Sequence, residues 1–328
     1  MKAVVYEKYG PPEVLQTKEI PKPTPRDDEV LIKIFASTAT LYDCWMRSST
    51  APPGFWLISR LSSGLTKPKQ PVLGTDLAGE IEAVGQNVNR FKPGDQVYGF
   101  LGEGMGGYAE YRCMPENGAV SIKPENMSFA EAAAVPQGAL TALYFLRKAD
   151  IQDGTKALIF GASGGVGMYA VQLARHFGCE VTGVCSTAKM DLVRLLGAEH
   201  VIDYTREDFT QNGETYGIIF DTVGKTRIPR TRRSLAKDGS YVFATFGLPK
   251  LLQMVWLSKI NRVNVVFGLL EESSENLDYL RELAETGELK AVVDRTYPLE
   301  QAAEAHRYVE SGNKKGVVVL SVGQDEMS

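Results

Sequence analysis

At 328 residues, with 44% hydrophobic and 23% charged side chains, the chain has the size and composition of about two ordinary globular domains. A net charge of −4 supplies no basic field for nucleic acid, and no run of eighteen apolar residues offers a membrane span. Four cysteines, Cys44, Cys113, Cys179 and Cys185, follow no metal or disulfide spacing, which predicts reduced thiols in a cytoplasmic protein.

The N-terminus acquires charge too early for a signal peptide and reads as a strand ending at the Gly10-Pro11-Pro12 turn. Up to about residue 125 the pattern is β-rich, with short apolar segments at 30–36, 77–85 and 96–100 separated by glycine and proline turns. A helix of one or two turns is expected over 41–47. Residues 48–70 form a long Ser-, Pro- and Gly-rich connection carrying Phe55, Trp56, Leu57 and Ile58, as expected of a lid or binding loop.

From Ala130 the rhythm becomes strand–helix–strand, with strands expected near 157–160, 180–185, 200–203, 217–223, 239–246 and 263–268. Six strands joined by helical crossovers describe a doubly wound parallel sheet. Helices are expected over 189–196 and 275–285, and the apolar segment 248–260 reads as a helix at an interface or over a substrate site. A last strand at 317–322 is expected to return to the first domain. The arginines at 227, 230, 232 and 233 read as a solvated helix face.

The first of these strands runs into Gly161-Ala-Ser-Gly-Gly-Val-Gly167 and then an amphipathic helix stopped by Gly178. Glycine allows a tight turn and close approach of a pyrophosphate to the helix N-terminus, so this is the dinucleotide site. The next strand ends in Cys185-Ser-Thr-Ala-Lys189, with no carboxylate to bond a ribose hydroxyl. Ser186, Thr187 and Lys189 can instead donate to a 2′-phosphate, which predicts NADPH.

Further stretches complete a pattern that runs nearly end to end: Gly74-Thr-Asp-Leu-Ala-Gly-Glu-Ile-Glu-Ala-Val-Gly, Phe91-Lys-Pro-Gly-Asp-Gln-Val, Gly107-Tyr-Ala-Glu-Tyr, Ala132-Ala-Ala-Val-Pro and Phe220-Asp-Thr-Val-Gly. With the glycine turn they resemble the medium-chain dehydrogenase/reductase superfamily, in its zinc-free quinone oxidoreductase branch. The resemblance implies an α/β chain: a discontinuous GroES-like β-rich domain (1–125 and 271–328) and a Rossmann domain with a six-stranded doubly wound parallel sheet (126–270), the nicotinamide lying between them. It places the pyrophosphate on Ser163, Gly164, Gly165 and Val166, and the 2′-phosphate near Ser186, Lys189 and Tyr204. Thr141, Val223, Phe246 and Phe267 would lie near the nicotinamide half. Thr40, Tyr42 and Trp45, with Phe55 and Trp56, would line the substrate side, Thr40 and Tyr42 being the catalytic candidates and either Tyr42 or solvent water the proton donor to an enone.

In the family's zinc alcohol dehydrogenases a Cys stands where Thr40 does, a Gly-His-Glu segment corresponds to Gly74-Thr75-Asp76, and a third ligand falls near Gln137. A hydroxyl and an amide are poor zinc ligands, so no metal is expected. The histidines, His176, His200 and His306, fall elsewhere and are expected at the surface. Without a Lewis acid, a substrate already activated towards hydride is favoured, a quinone or an α,β-unsaturated carbonyl. Alcohol or aldehyde oxidoreduction, and NADPH binding for a structural or sensing role, are the alternatives. The resemblance also implies a homodimer formed through the strand at 263–268.

Overall fold

The computed structural model describes residues 1–51, 53–261, 263–268, 270 and 273–323. The chain divides into two units, the first made of Met1–Ala51, Trp56–Gln137 and Glu272–Ser328, the second of Pro52–Phe55 and Gly138–Glu271. The sequence places the break at 125/126. It falls later because the short helix after Ser128 packs on the β-rich unit.

In chain order the first unit carries β1 (Lys2–Val5), β2 (Gln16–Glu19), β3 (Glu29–Ala39), α1 (Leu41–Ser48), α2 (Trp56–Ser63), β4 (Asp76–Val84), β5 (Gln96–Phe100), β6 (Tyr111–Pro115), β7 (Val120–Ile122) and α3 (Phe129–Ala133). The next helix, α4 (Pro136–Lys148), leads into β8 (Lys156–Phe160), α5 (Gly167–His176), β9 (Glu180–Cys185), α6 (Met190–Leu195), β10 (His200–Asp203), β11 (Tyr216–Asp221), α7 (Ile228–Thr231), β12 (Leu235–Phe243), α8 (Leu248–Asn261) and β13 (Asn264–Val266). The chain then adds α9 (Ser274–Glu285), β14 (Val293–Pro298), α10 (Ala302–Glu310) and β15 (Val317–Ser321).

The first unit is built on β3, whose Val, Ile and Leu residues suit a pleated, largely buried strand. It pairs antiparallel with β4, β6 and β15, so the C-terminal strand returns as the sequence predicts, with Val318 opposite Ala39. The sheet runs β14-β15-β3-β4-β5-β7. Val30, Ile32, Ile34, Leu77, Ile81, Val318 and Leu320 form its core with Tyr108 and the inner face of α10.

In the second unit the order is β10-β9-β8-β11-β12-β13 and every neighbouring pair is parallel. This is the doubly wound order, in which the strands' carboxyl ends collect the ligand-binding turns. Buried Leu158, Val184, Ile219, Tyr241 and Phe243 make the centre of the sheet. The edge strand β13 pairs with β12 alone among the described residues.

Two expectations change. The long connection contains the two-turn helix α2, an apolar start that periodicity alone could not separate from a loop over so few residues. Arg60 lies over the Tyr9 ring, 4.1 Å from its centroid, and Gly64 closes the helix at φ +122° with its carbonyl accepting from the Tyr9 hydroxyl.

His306 is not at the surface. It is fully buried on the inner face of α10, its Nε2 2.9 Å from the Tyr108 hydroxyl and its Nδ1 3.4 Å from Cys44 Sγ. The alanines Ala302 and Ala305 and Val309 face the same core, and this helical spacing turns His306 inward with them. His200 is exposed as expected, beside Glu180. The four arginines near α7 are exposed, also as expected. Helix α8 covers the predicted 248–260, while the side chains of 255–261, Trp256 among them, lie outside the described residues.

Candidate functional site

The glycine turn joins β8 to α5. Gly161 adopts φ +84°, and both its N–H and that of Ala162 donate to the Val184 carbonyl at 3.0 Å. A Cβ on Gly167 would stand 2.1 Å from the Gly161 carbonyl oxygen, and one on Gly161 2.7 Å from Thr222 Oγ1. Those two glycines serve the turn itself. Gly165 differs, because a Cβ there would meet nothing within 4 Å. Its Cα faces open space at the start of a helix whose N-cap, Val166, brings no side-chain cap. The orphan donors of such a helix end and its positive dipole suit a pyrophosphate. Ser163 is buried beside them, with Gly164 and Val166 partly exposed. Of the four residues expected to hold the pyrophosphate, the turn collects all four.

The register of β9 and β10 sets Asp203 opposite Cys185, so Ser186 and Tyr204 leave adjacent strand ends. Ser186 and Lys189 are partly exposed and Tyr204 is exposed. Thr187 is committed elsewhere: its hydroxyl donates to Asp203, which also accepts the Thr205 N–H at 2.9 Å and hydroxyl at 2.7 Å. These bonds, the Thr187 hydroxyl first, hold the Asp203 carboxyl below the usual range. The carboxylate at the end of β10 is thus buried and occupied, and β9 itself ends without one.

At the end of β11, buried Asp221 organises the following loop. It accepts the N–H groups of Val223 (3.1 Å), Gly224 (2.8 Å) and Thr226 (2.9 Å), and Lys250 Nζ of α8 lies 3.2 Å from Oδ2 while donating to the Gly224 carbonyl at 2.9 Å. Val223 abuts Gly161, linking this loop to the glycine turn. Phe246 and Phe267 meet edge to face at 5.7 Å between centroids, and Phe55 joins Phe246 at 6.4 Å. Phe55 is held there because the Pro53 carbonyl accepts the Leu248 N–H at 2.8 Å. The second unit therefore gathers Val223, Phe246, Phe267 and Phe55, with Thr141 half-buried on α4. Trp56 is not part of that cluster and is exposed on α2.

In the first unit Thr40 is the N-cap of α1. Its hydroxyl accepts the Asp43 N–H while its own N–H donates to Asp43 Oδ2 at 2.9 Å, a capping box, and the hydroxyl also donates to Oδ2 at 2.6 Å. Asp43 is fully buried and reaches on to the Gly74 N–H at 3.0 Å. Asp76, also buried, accepts from Thr38 Oγ1 (2.6 Å), Thr75 Oγ1 (3.2 Å) and the Gln137 N–H (2.8 Å). Burial pushes both carboxyls up, Asp43 to about 6 and Asp76 to about 7. Tyr42 and Trp45 sit half-buried on α1, and burial raises the Tyr42 phenol to about 12.

This donor set does not fit a catalytic zinc. The Thr40 hydroxyl and both Asp76 oxygens are already engaged, Gln137 offers an amide, and among the described residues no three His, Cys, Asp or Glu cluster as metal ligands. Sequence reasoning missed Asp43, Asp76, Asp221, Lys250 and His306. The Thr-x-x-Asp signature marks Asp43, and a carboxylate ending an apolar strand marks Asp221. Nothing local marks Lys250.

Residues 26–124 match the alcohol dehydrogenase GroES-like domain family, and residues 196–320 the zinc-binding dehydrogenase family. The chain is 34% identical to the chloroplastic quinone-oxidoreductase QR1 of Triphysaria versicolor, over 98% of each chain. It is 33% identical to 2-methylene-furan-3-one reductase of Solanum lycopersicum, over 98% of this chain and 79% of that one. The structure of Escherichia coli quinone oxidoreductase complexed with NADPH superposes with a TM-score of 0.83 at 27% identity, covering 98% of this chain and all of the other. A GroES-like unit, a six-stranded parallel sheet with its glycine turn, and end-to-end likeness to these proteins place the chain in the medium-chain dehydrogenase/reductase superfamily, among its quinone-oxidoreductase-like members.

Proposed function

We propose that this chain is an NADPH-dependent oxidoreductase that reduces quinones or α,β-unsaturated carbonyls without zinc. The observation that carries the reading is the glycine turn, where the missing side chain of Gly165 leaves open space at a helix end with no side-chain cap. The preference for NADPH rests on Ser186 and Lys189 at a strand end free of carboxylate, and a relative's complex with NADPH supports it. The substrate class rests on the absence of a zinc donor set at Thr40, Asp76 and Gln137 and on the relatives' named quinone and methylene-furanone substrates.

When bound, the nicotinamide supplies the hydride. The chain's own groups bind and orient. Asp221 and Lys250 hold the loop bearing Val223, and Phe55, Phe246 and Phe267 offer aromatic edges to a flat apolar substrate. Thr40 fixes the first turn of α1, which carries Tyr42 and Trp45. Tyr42, a half-buried phenol on that helix, protonated at neutral pH as any tyrosine is, is the proposed proton source for a reduced enone. The four free thiols suit a reducing compartment such as the cytoplasm, and no helix among the described residues is long and apolar enough to cross a membrane. A homodimer would pair the one-sided edge strand β13 with its copy.

The test is NADPH oxidation followed by absorbance against a panel of quinones and enones, repeated with NADH. Turnover with at least about tenfold higher kcat/KM for NADPH is expected, roughly 1.4 kcal/mol of discrimination. Tight NADPH binding without turnover on any of them would favour a binding role. Stoichiometric zinc whose removal abolishes turnover would favour an alcohol dehydrogenase.

A further inference from the structure

The reading above makes no use of the outer surface of α2. Trp56, Leu57 and Leu61 on this helix and Leu65 just beyond it are 57%, 59%, 57% and 61% exposed, four large apolar side chains within ten residues. Scattered exposed leucines need no explanation, but four large apolar side chains gathered on one helix and the turn after it do. Three cations accompany it, Arg60, Lys67 and Lys69, and the chain contains no carboxylate between Asp43 and Asp76. That stretch is basic in a protein of net charge −4. No ion pair is made by these three cations among the described residues. Arg60 lies over Tyr9 and donates to the Leu65 carbonyl, while Lys69 donates to the Leu61 carbonyl.

We propose that α2 and the turn after it are a peripheral docking surface for an anionic lipid bilayer. An indole and leucines beside lysine and arginine form the side-chain set that rests at the headgroup boundary, where apolar burial and attraction to anionic lipid act together. A second copy of the chain fits less well. A two-fold contact would oppose these cations to their own images, with no carboxylate in the segment to pair them. The surface is independent of the redox reading. Together they would let the enzyme take an apolar quinone from the membrane.

Sedimentation of the full chain with vesicles of phosphatidylcholine and phosphatidylglycerol in equal parts, against phosphatidylcholine alone, tests the proposal. Binding to the anionic vesicles at least about tenfold stronger is expected, weakening as salt rises. The double variant Leu57→Ser/Leu61→Ser and the single variant Lys67→Glu should each reduce it several-fold with thermal unfolding and NADPH turnover unchanged, since these side chains are exposed. No sedimentation with either vesicle overturns the proposal, as does binding that both variants retain. A wild-type dimer that becomes monomeric in the leucine variant, without vesicle binding, assigns the face to self-association and overturns it too.

Discussion

The Tyr108 hydroxyl and His306 Nε2, 2.9 Å apart with no exposure of the imidazole, bind residues almost two hundred positions apart in sequence. Cys44 Sγ closes the other side of the ring, and buried Arg47 on the same helix pairs with Glu310. Burial, with the Arg47 charge second, drives the imidazole down to about 3, so it is neutral in the folded state. The unfolded chain takes up a proton near pH 6.5 that the folded one refuses. His306 therefore contributes stability above pH 6.5 that is lost as pH falls towards 3. Asp43 and Asp76, with raised values, act in the opposite sense between pH 7 and 4 and flatten the net curve. The stability advantage of the wild type over His306→Gln should shrink by about 1.4 kcal/mol per pH unit below 6.5, measured by urea unfolding. A difference that does not change with pH would exclude the buried neutral ring.

The glycines of the turn should separate by role. Gly167→Ala puts a Cβ against the Gly161 carbonyl and should cost roughly 3 kcal/mol or prevent folding. Gly165→Ala meets nothing, so its stability should stay within about 0.5 kcal/mol of the wild type. It should nonetheless weaken NADPH binding by at least about tenfold, because the added methyl occupies the pyrophosphate's approach. Unchanged fluorescence titration with NADPH in the folded Gly165→Ala variant would remove the turn from the cofactor site.

Lys250→Met takes the cation away from the buried Asp221 carboxylate and from the face of the Phe243 ring, 4.4 Å from its centroid. The backbone donors of the loop remain, so a loss of roughly 3 kcal/mol is expected rather than collapse. Release of the Gly224 carbonyl should raise the KM for NADPH more than it lowers kcat, and Lys250→Arg should restore part of both. A loss of stability with unchanged KM would confine Lys250 to a structural role.

Tyr42→Phe keeps the apolar contacts of α1 and removes the proton. Turnover of enones should fall by about a hundredfold if Tyr42 is the acid, while two-electron reduction of quinones should change far less. Equal turnover of both classes in the variant would assign protonation to water.

Much of the site was legible in the chain itself, because it lies in local pattern. The apolar strand at 157–160, the glycine spacing and the helix after it specify the tight strand–turn–helix, the proposed nucleotide site, without reference to the rest of the molecule. The strand–helix alternation specifies the parallel sheet in the same way. Residues that act through distant partners were not legible. Lys250 carries no signal in its neighbours, and it matters because α8 returns over the end of β11, where Asp221 is buried. Phe55 comes from a connection in the other half of the sequence and reaches Phe246 through one backbone bond, Pro53 to Leu248.

By itself, then, the amino-acid order determined the family, the two-part architecture of β-rich unit and parallel sheet, and the glycine turn between β8 and α5. Periodicity, turn chemistry and propensity act over a few residues, and those features need no more. Tertiary structure alone decided that His306 is interior, that Phe55 leaves Trp56 to stand with Phe246, and that Asp203 and Asp221 are saturated by hydrogen bonds. Each of those outcomes depends on which surfaces exclude water together, and long-range packing settles that after the local elements exist.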